Sequence, residues 1–379
     1  MKKLLQINTT LNVGSTGRIA EQIAGLATAH GWDCYMAHGG RYVNKSGFKT
    51  ILLGGKWDNY IHAALGEFLG RHGFGSYFAT RRFVKKVKEI QPDVIHLHNV
   101  HGYYLNLPVL FNYLAESGIP VVWTLHDCWT FTGHCTHFEA DGCYKWKKEC
   151  GNCQLLMAQY KSRFVDRSKK NFRIKKSLYA MQKHLTIVPV SNWLGGLLPD
   201  SILGQYPVRV IRNGIDLEVF KPMVSDIKAR LGISPEKKMV LGVMFAFKGK
   251  DEFLRLSQDE RYQVVLVGLS DAVSRQLPSN IIGIARTNSQ QELAEYYAAA
   301  DVFLNPTYND TFPTTNIEAL ACGTPVVTYQ SGGSPEIIDD NTGIAVPRGD
   351  YQALVRALET VLEKGKAYYS AHCRNRAVQ

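Results

Sequence analysis

The stretch Asn305–Glu336, NPTYNDTFPTTNIEALACGTPVVTYQSGGSPE, carries the clearest structural signals in the sequence. It follows the apolar residues Val302-Phe303-Leu304, which predict a buried strand, and it opens as a polar loop. The pattern then predicts a short helix over Thr314–Ala321, a Gly-Thr-Pro turn, an apolar strand at Val326-Val327 and a second glycine-rich loop. This alternation of strand and helix is typical of a parallel α/β sheet.

Two carboxylates, Asp310 and Glu318, lie on either side of the start of this predicted helix. A loop that leads into a helix directs backbone N–H groups and the positive end of the helix dipole towards one point, which favours a bound phosphate. A carboxylate within the helix does not favour phosphate, so Glu318 is expected to serve another group, such as sugar hydroxyls. The stretch therefore predicts a nucleotide-sugar pocket.

The composition is that of a globular protein. The chain has 379 residues, of which 45% are hydrophobic and 20% charged, and this length is sufficient for two domains. No apolar run approaches the roughly 20 residues of a membrane-spanning helix. The start, MKKLLQIN, becomes polar too early for a signal peptide. We therefore expect a cytoplasmic protein, in which disulfides are rare.

The net charge of +11 is concentrated in one segment. Residues 145–183 contain twelve Lys or Arg and two acidic residues, a net charge of +10. A basic face can attract nucleic acid, anionic lipid or an acidic substrate, or it can be an ordinary solvated helix face. Because no nucleic-acid recognition motif is present, binding to nucleic acid is not expected. Residues 56–90 predict helices with interleaved basic and aromatic residues, which indicate either ordinary packing or a membrane-facing patch.

The chain begins with a predicted strand (Lys3–Asn8), a loop of small residues (Thr9–Gly17) and a helix (Arg18–His30). Ligands of α/β sheets bind at the carboxyl ends of strands, where this loop lies. Gly14 and Gly17 would permit close approach of the backbone to a ligand. The signal is weak, because it is not the dinucleotide-binding fingerprint.

Histidines follow two further predicted strands, Pro92–His98 and Ile119–Leu125. His98, His101 and His126 all leave the carboxyl ends of these strands, so we expect them on the same rim of the sheet. A lone histidine is more often structural than catalytic. The shared position favours a functional role here.

Residues 128–153, CWTFTGHCTHFEADGCYKWKKECGNC, form an insertion of unusual composition. Its last four cysteines follow the pattern C-x7-C-x6-C-x2-C and are Cys135, Cys143, Cys150 and Cys153. The pattern resembles a structural zinc site, which would hold a loop that otherwise lacks a core. Free thiols, a redox pair, or replacement of one ligand by His134 or His137 are alternatives. Four thiolates would leave no open position for catalysis by zinc.

The second half of the chain repeats the alternation of strands and helices. We expect an α/β protein with two open parallel sheets that face each other across a cleft, rather than a closed barrel. Val208–Ile211 predicts a last strand of the first half, and Phe220-Lys221-Pro222 marks a linker. The predicted domains are residues 1–218, with the cysteine-rich insertion, and residues 219–379.

These patterns resemble the GT-B fold of the retaining glycosyltransferases of the family 4 group, with two Rossmann-like domains. The most specific match is the acidic residue Asp310, then Glu318 and the run EALACGTPVV, then GGSPE ending at Glu336. Supporting matches are TLHD (Thr124–Asp127), Val190-Ser191, NGID (Asn213–Asp216) and Lys248-Gly249. The cysteine insertion resembles a subgroup involved in bacterial surface polysaccharides.

The resemblance implies a transferase that moves a sugar from a nucleotide-diphosphate sugar to a glycan or lipid-linked acceptor, at the inner face of the membrane. It implies that Glu318 binds the ribose hydroxyls of the donor. Thr314 and Thr315, with the amides at the helix start, would hold the diphosphate. Lys248 would neutralise the charge that grows on the leaving phosphate.

The remaining site residues come from the same resemblance. Asp310 would contact the transferred sugar, and His126 would lie beside the anomeric carbon. Gly14 and the neighbouring loop amides, with Gly17, would close on the donor from the N-terminal domain. No Asp-x-Asp motif is present to hold a divalent cation, so no catalytic metal is expected. Attack by the acceptor on the same face of the sugar is implied by the family.

The sequence departs from the family pattern at three points. Asp310 replaces the usual glutamate, and Val243 occupies a position that is often arginine. The chain ends at Gln379, soon after the helix predicted over Tyr351–Glu363, whereas family members usually continue with a last helix that crosses back. We therefore expect weaker contact between the domains, or a shortened chain. A non-catalytic binding protein, favoured by Val243, and a nucleotide-sugar epimerase, which would need further carboxylates, are the alternatives.

Overall fold

The computed structural model describes residues 1–244 and 249–379, and the chain divides into two compact units, Met1–Arg212 and Asn213–Gln379. The sequence placed the boundary after residue 218. The backbone N–H groups of Arg209 and Ile211 donate to the carbonyls of Ile187 and Pro189, which ties this segment to the first unit. The Asn213 side chain instead donates to the Phe312 carbonyl of the second unit.

The first unit is a parallel sheet with helices between the strands. Its elements are β1 (Lys3–Asn8), α1 (Gly14–Ala29), β2 (Asp33–His38), β3 (Lys49–Leu52), α2 (Lys56–Leu69), α3 (Tyr77–Ile90), β4 (Val94–Leu97), α4 (Leu107–Ser117), β5 (Val121–Leu125), α5 (Ser168–Ala180), β6 (Leu185–Pro189) and α6 (Asn192–Leu197). The strand order is β3-β2-β1-β4-β5-β6, with all pairs parallel. The order reverses between β1 and β4, and such a switch point is where doubly wound sheets bind ligands.

The second unit repeats this topology. Its elements are α7 (Ile227–Arg230), β7 (Lys238–Val243), α8 (Lys250–Leu256), β8 (Tyr262–Val267), α9 (Asp271–Ser274), β9 (Ile281–Ile284), α10 (Gln290–Ala299), β10 (Val302–Asn305), α11 (Thr314–Ala321), β11 (Val326–Tyr329), β12 (Gly343–Val346), α12 (Tyr351–Lys364) and α13 (Lys366–Val378). The strand order is β12-β11-β10-β7-β8-β9, again all parallel. Its switch point lies between β7 and β10. Because both units are Rossmann-like parallel sheets, the predicted α/β class is confirmed.

Most predicted elements are present, and α11 has the predicted bounds. The helical region predicted over residues 56–90 is two helices, because Gly70 ends α2 in the left-handed conformation (φ 63°) and Ser76 precedes α3 with φ 52°. Val208–Ile211, predicted as a strand, pairs with β6 through an isolated bridge at Val208. No helix in the described part of the chain is long and apolar enough to cross a membrane.

The helix α13 was not predicted. Its Arg374 donates to the carbonyls of Phe220 (2.7 Å) and Leu217 (3.2 Å), and the first residue of the helix, Lys366, donates to the Ala300 carbonyl (2.9 Å). Tyr369 is also buried. These contacts fix α13 on the second unit, so this unit contains one more packed helix than the sequence predicted.

The cysteine-rich insertion contains an aromatic core, contrary to the expectation that it lacks one. Phe131, Phe138 and Trp146 are buried, and the Phe131 and Trp146 rings lie 4.9 Å apart. The buried ammonium of Lys175, on α5, donates to the carbonyls of Trp129 (2.6 Å) and Thr132 (3.0 Å). Packing and one buried lysine therefore fix this segment on the first unit.

Candidate functional site

Two histidines meet at the carboxyl ends of β4 and β5. His98 Nδ1 and His126 Nε2 lie 3.1 Å apart, and His98 Nε2 lies 2.9 Å from Gln6 Oε1. The Gln6 amide nitrogen donates to the Ala20 carbonyl, which turns its oxygen towards His98. His98 therefore donates from Nε2 and accepts at Nδ1, and His126 donates from Nε2. This chain of hydrogen bonds makes Nδ1 the basic nitrogen of His126.

Both imidazoles are neutral at physiological pH. Burial lowers the pKa of His126 to about 4, with a further decrease from His101 and an opposing effect of Asp127. Burial also lowers the pKa of His98 well below its usual value, and His96 and His126 lower it further. A neutral imidazole can accept a hydrogen bond from a sugar hydroxyl. The predicted meeting of His98 and His126 is confirmed.

His101 belongs to a second chain of hydrogen bonds on the same rim. Its Nε2 donates to Asp127 Oδ2 (2.7 Å), and its Nδ1 lies 2.6 Å from the Tyr160 hydroxyl. Burial alone would raise the pKa of Asp127, but the charge of His101, its hydrogen bond and the Trp129 N–H lower it overall. Sequence reasoning missed Tyr160, because it lies 59 residues from His101.

The buried histidines make the stability of the first unit depend on pH. Burial lowers the pKa to about 4 for His62, His96 and His126, and to about 3 for His72. Below about pH 6.5 the unfolded chain protonates these side chains while the folded unit does not. The free energy of unfolding should therefore decrease as the pH is lowered from 6.5 to 4, by about 1.4 kcal/mol per pH unit for each histidine.

Urea unfolding at several pH values measures this dependence. Replacing the buried His96 by glutamine removes one of the protons that the chain takes up on unfolding. It should therefore reduce the slope of the unfolding free energy against pH by about 1.4 kcal/mol per pH unit. His184→Gln, at an exposed position of the same unit, is the matched control for the substitution itself. A free energy of unfolding that is constant from pH 6.5 to pH 5 would contradict the neutral, buried state.

The predicted loop of small residues connects β1 to α1 at the switch point of the first sheet. Gly14 opens α1 with φ 67°, a conformation that favours glycine. A Cβ on Gly17 would lie 2.8 Å from Thr10 Oγ1 and 3.1 Å from the Asn12 nitrogen. Gly17 therefore allows α1 to pack against its own preceding loop, which is a structural reason for a glycine at this position.

In the second unit, Glu318 lies on α11 and is 7% exposed. Its Oε2 accepts a hydrogen bond from the Tyr297 hydroxyl of α10 (3.0 Å). Thr314 and Thr315 form the half-buried first residues of the same helix. A carboxylate held in one orientation beside a helix start can accept hydrogen bonds from the hydroxyls of a ligand whose phosphates bind the helix amides.

The loop after β10 fixes the position of Asp310. Its half-buried carboxylate accepts from the Phe312 N–H (3.3 Å), and its carbonyl accepts from the Gly333 N–H (3.3 Å). The polar loop after β10 and the glycine-rich loop after β11 therefore lie against each other. The start of α11 is further joined to β10 by the Asn305 amide, which donates to Asn316 Oδ1 (2.7 Å).

Lys248 lies outside the described residues, so its predicted contact with phosphate has no structural account here. The described chain resumes at Gly249, with φ 71°. A Cβ on Gly249 would lie 2.4 Å from Pro306 Cγ, so this position requires glycine. Gly249 thus lies against the loop after β10, at the switch point of the second sheet.

Sequence reasoning also missed Glu252 on α8. It is 6% exposed, and its Oε1 accepts from the hydroxyls of Tyr308 (2.8 Å) and Tyr329 (3.0 Å). A glutamate in a short helix carries no sequence signal for burial. Its two tyrosine partners connect α8 with the loop after β10 and with β11, and so support the shape of the site.

The four cysteines of the predicted zinc site lie near one another but do not form a closed metal centre. Burial raises the pKa of Cys135 to about 12, with smaller contributions from Cys153 and Cys150, and raises that of Cys150 to about 11. Among the described residues, no group of three or more His, Cys, Asp or Glu is arranged to hold a metal ion. Zinc binding stays a prediction that metal analysis of the purified protein can test, with one zinc per chain expected.

Two family models match the chain. One, described as Glycosyltransferase Family 4, matches residues 41–219, and the other, described as Glycosyl transferases group 1, matches residues 249–364. The two matches together cover most of the chain and include the rim histidines, Gly249 and α11. The chain therefore belongs to the family 4 group of glycosyltransferases.

Curated relatives agree with this assignment. The colanic acid biosynthesis glycosyl transferase WcaC of Escherichia coli is 23% identical over 93% of this chain and 89% of its own length. The D-inositol 3-phosphate glycosyltransferase of Streptomyces bingchenggensis is 34% identical, over 37% of this chain and 36% of its own length. The second match spans about a third of each protein.

Solved structures share the fold. Sucrose-phosphate synthase from Thermosynechococcus elongatus gives a TM-score of 0.73 at 21% identity, over 100% of this chain and 94% of its own. The Anabaena protein HepE in complex with UDP-glucose gives a TM-score of 0.65 at 16% identity, over the same shares of the two chains. The pattern of two Rossmann-like units is thus that of known glycosyltransferase structures.

Proposed function

We propose that this protein is a retaining glycosyltransferase that takes a sugar from a nucleotide-diphosphate sugar and adds it to a bacterial surface polysaccharide. The observation that carries this proposal is the buried carboxylate of Glu318 on α11, the helix that starts at the switch point of the second sheet. The Tyr297 hydroxyl of α10 holds this carboxylate in place. The name of WcaC supports a polysaccharide product, and the UDP-glucose complex of HepE supports a nucleotide-sugar donor.

The proposed donor site separates two chemical tasks. Glu318 accepts hydrogen bonds from the ribose hydroxyls, and the helix-start amides with Thr314 and Thr315 bind the diphosphate. As the bond from the sugar to the diphosphate breaks, positive charge develops on the sugar and negative charge on the leaving group. Donors that are already oriented towards the leaving diphosphate lower this barrier, and Lys248 is assigned the same task.

We assign the sugar-binding tasks to Asp310 and His126. His126 has a neutral ring, which suits hydrogen bonds with sugar hydroxyls better than a charge interaction. Retention without an enzymic nucleophile requires that the acceptor hydroxyl attack the face from which the diphosphate leaves. Its proton then passes to the leaving phosphate, so no protein base is consumed.

Thermal unfolding in the presence of UDP-, GDP- and ADP-sugars tests this donor assignment. One class of nucleotide sugar should raise the midpoint by mass action, and the free sugar should not. The shift should persist in EDTA, because the proposed phosphate contacts come from amides and a lysine. Absence of a shift with every nucleotide sugar would count against a donor site, and loss of the shift in EDTA would contradict metal independence.

The first unit carries a surface suited to the anionic inner face of a membrane. One face of α2 leaves Trp57 81% exposed and Ile61 60% exposed, and on α3 Phe78 is 72% exposed. The exposed basic residues of α3 are Arg81, Arg82, Lys85, Lys86 and Lys88. Phe74 and Phe83 are buried, so only part of the aromatic pattern serves the core. We propose that this apolar and basic surface docks on anionic lipid.

Replacing Trp57 and Ile61 together by serine should weaken binding to phosphatidylglycerol vesicles about tenfold, because two apolar side chains no longer enter the interface. Vesicle sedimentation measures the effect. Val224→Ser, at a fully exposed position of the second unit, is the control. Equal binding of the double variant and the control would exclude this docking surface.

A further inference from the structure

A buried carboxylate from α8 anchors the loop that carries Asp310. Glu252 is 6% exposed, and its Oε1 accepts hydrogen bonds from the hydroxyls of Tyr308 (2.8 Å) and Tyr329 (3.0 Å). The hydrogen bond to Glu252 and burial raise the pKa of Tyr308, and burial and the charge of Glu252 raise the pKa of Tyr329. Both hydroxyls therefore keep their protons and donate to one carboxylate. We call these three residues the Glu252 anchor.

An apolar contact could also hold this loop in place. Burial of a carboxylate costs free energy that its hydrogen bonds only offset, and apolar side chains of similar volume are often equally stable. A hydrogen-bonded carboxylate adds direction, because hydroxyl donors must point at its oxygen. The Glu252 anchor therefore fixes one orientation of the Tyr308 side chain, which packing alone would leave less defined.

Tyr308 is fixed on several sides but is not buried. Its ring lies 5.4 Å from that of Tyr329, with the planes at 68°, and a Cβ on Gly349 would lie 3.7 Å from the edge of the Tyr308 ring. The Arg348 guanidinium donates to the Tyr308 carbonyl (3.4 Å). The residue is nevertheless 41% exposed. The loop after β10 thus presents an immobilised aromatic surface to solvent.

The same loop couples the position of Tyr308 to that of Asp310. The Thr307 hydroxyl donates to the Asn309 carbonyl (3.1 Å), and the Ser331 hydroxyl donates to the Thr307 carbonyl (2.8 Å). Tyr308 lies between these two bonded residues, and only Asn309 separates it from Asp310. A shift of the Tyr308 side chain would therefore move Asp310 as well.

The Glu252 anchor reaches this loop from the face of the sheet opposite to α11. The crossover β7-α8-β8 and the crossover β10-α11-β11 run in opposite directions along the strand order. Because crossovers between parallel strands are right-handed, α8 and α11 lie on opposite faces. Loss of the anchor should therefore disturb the loop after β10 and leave Glu318 and the start of α11 in place.

We propose that Tyr308 is a specificity-determining residue for the transferred sugar, and that Glu252 and Tyr329 are its positioning residues. The exposed part of the Tyr308 ring packs against the apolar C–H face of a hexose, as aromatic rings pack against other apolar surfaces. An axial hydroxyl on that face disturbs the contact, so the ring distinguishes epimers of one hexose. The role of Tyr308 rests on the proposed function, because it requires a nucleotide-sugar donor at α11.

Titration calorimetry without an acceptor tests this role. The probes are UDP, GDP and ADP and, for the nucleotide that binds, its nucleotide sugars with glucose, galactose and mannose. The wild-type protein should bind one of these three nucleotide sugars about tenfold more tightly than the other two. Tyr308→Ala should abolish this preference and still bind the nucleoside diphosphate within about twofold of the wild type, because α11 is undisturbed.

Further variants separate the sugar contact from its positioning. Tyr308→Phe keeps the ring and removes the hydrogen bond to Glu252, so it should lower the preference about threefold or more. Glu252→Gln retains a carbonyl that can accept from the two hydroxyls and should keep more of the preference than Glu252→Ala. Tyr351→Phe, at the first residue of α12, is the matched control for loss of a hydroxyl and should behave as the wild type.

The possible outcomes are distinct. Lack of a sugar preference in the wild type, or an unchanged preference in Tyr308→Ala, would overturn the specificity role. A wild-type preference in Tyr308→Phe would overturn the positioning role of Glu252. Equal losses of affinity for the nucleoside diphosphate and for the nucleotide sugar would mean general damage to the unit and would overturn both roles. If the wild type binds no nucleoside diphosphate, the proposed function itself fails.

Discussion

Glu318→Ala is expected to weaken binding of the nucleotide-sugar donor about 100-fold or more and to reduce turnover with it. The variant would lack the charge-assisted hydrogen bonds that the carboxylate accepts from two ribose hydroxyls, each worth about 1.5–3 kcal/mol. Because Glu318 is buried against Tyr297, the bound orientation already exists before the donor arrives. Isothermal titration with the stabilising nucleotide sugar measures the loss.

Two further variants separate this role from folding. Glu318→Ala leaves the Tyr297 hydroxyl without this acceptor, so the double variant with Tyr297→Phe removes both partners and should recover part of the lost stability. Glu363→Ala, at an exposed position of α12, should bind the donor as the wild type does. Near-normal donor binding by a folded Glu318→Ala variant would exclude the ribose assignment.

Lys175→Ala is expected to destabilise the first unit by about 3 kcal/mol or more. The substitution removes a buried ammonium that donates to two carbonyls of the cysteine-rich insertion and lies 3.1 Å from the centroid of the Trp129 ring. Two buried carbonyls would lose their donor, and a cavity would remain where the lysine stem packed. Burial holds the pKa of Lys175 well below its usual value.

Chemical denaturation of three variants distinguishes the causes of this effect. Lys175→Met retains most of the buried volume and should recover the part of the loss that is due to the cavity. Lys176→Ala, one residue further on the exposed side of α5, should change the free energy of unfolding by less than about 0.5 kcal/mol. If Lys175→Ala is as stable as Lys176→Ala, the lysine does not fix the insertion.

The predictable parts of the fold are those with strong local signals. The helix α11 has the predicted bounds because a proline precedes it and the left-handed Gly323 (φ 73°) follows it. The meeting of His98 and His126 followed from the common direction of parallel strands. By contrast, β3 is a mostly exposed edge strand, and α13 buries Tyr369 and Cys373 within an otherwise polar sequence, so neither had an apolar pattern to reveal it.

The unpredicted parts of the candidate site depend on contacts between distant residues. Tyr297 reaches Glu318 from another helix, and Tyr160 reaches His101 from the segment after the insertion. Arg167, directly before α5, lies against Gly70, directly after α2, and no local sequence signal predicts this contact. Tertiary packing decides which polar side chains meet, so the sequence supplies the candidates and the fold supplies their partners.

The most direct test of the proposed activity is release of the nucleotide diphosphate from the nucleotide sugar that stabilises the protein, in the presence of a bacterial lipid extract as acceptor. The wild-type protein should release nucleotide diphosphate and transfer labelled sugar into the lipid fraction in equal amounts. The Glu318→Ala variant should do neither above background. Equal release by the wild type and by Glu318→Ala, or no labelled lipid with any stabilising nucleotide sugar, would contradict a glycosyltransferase that uses this donor site.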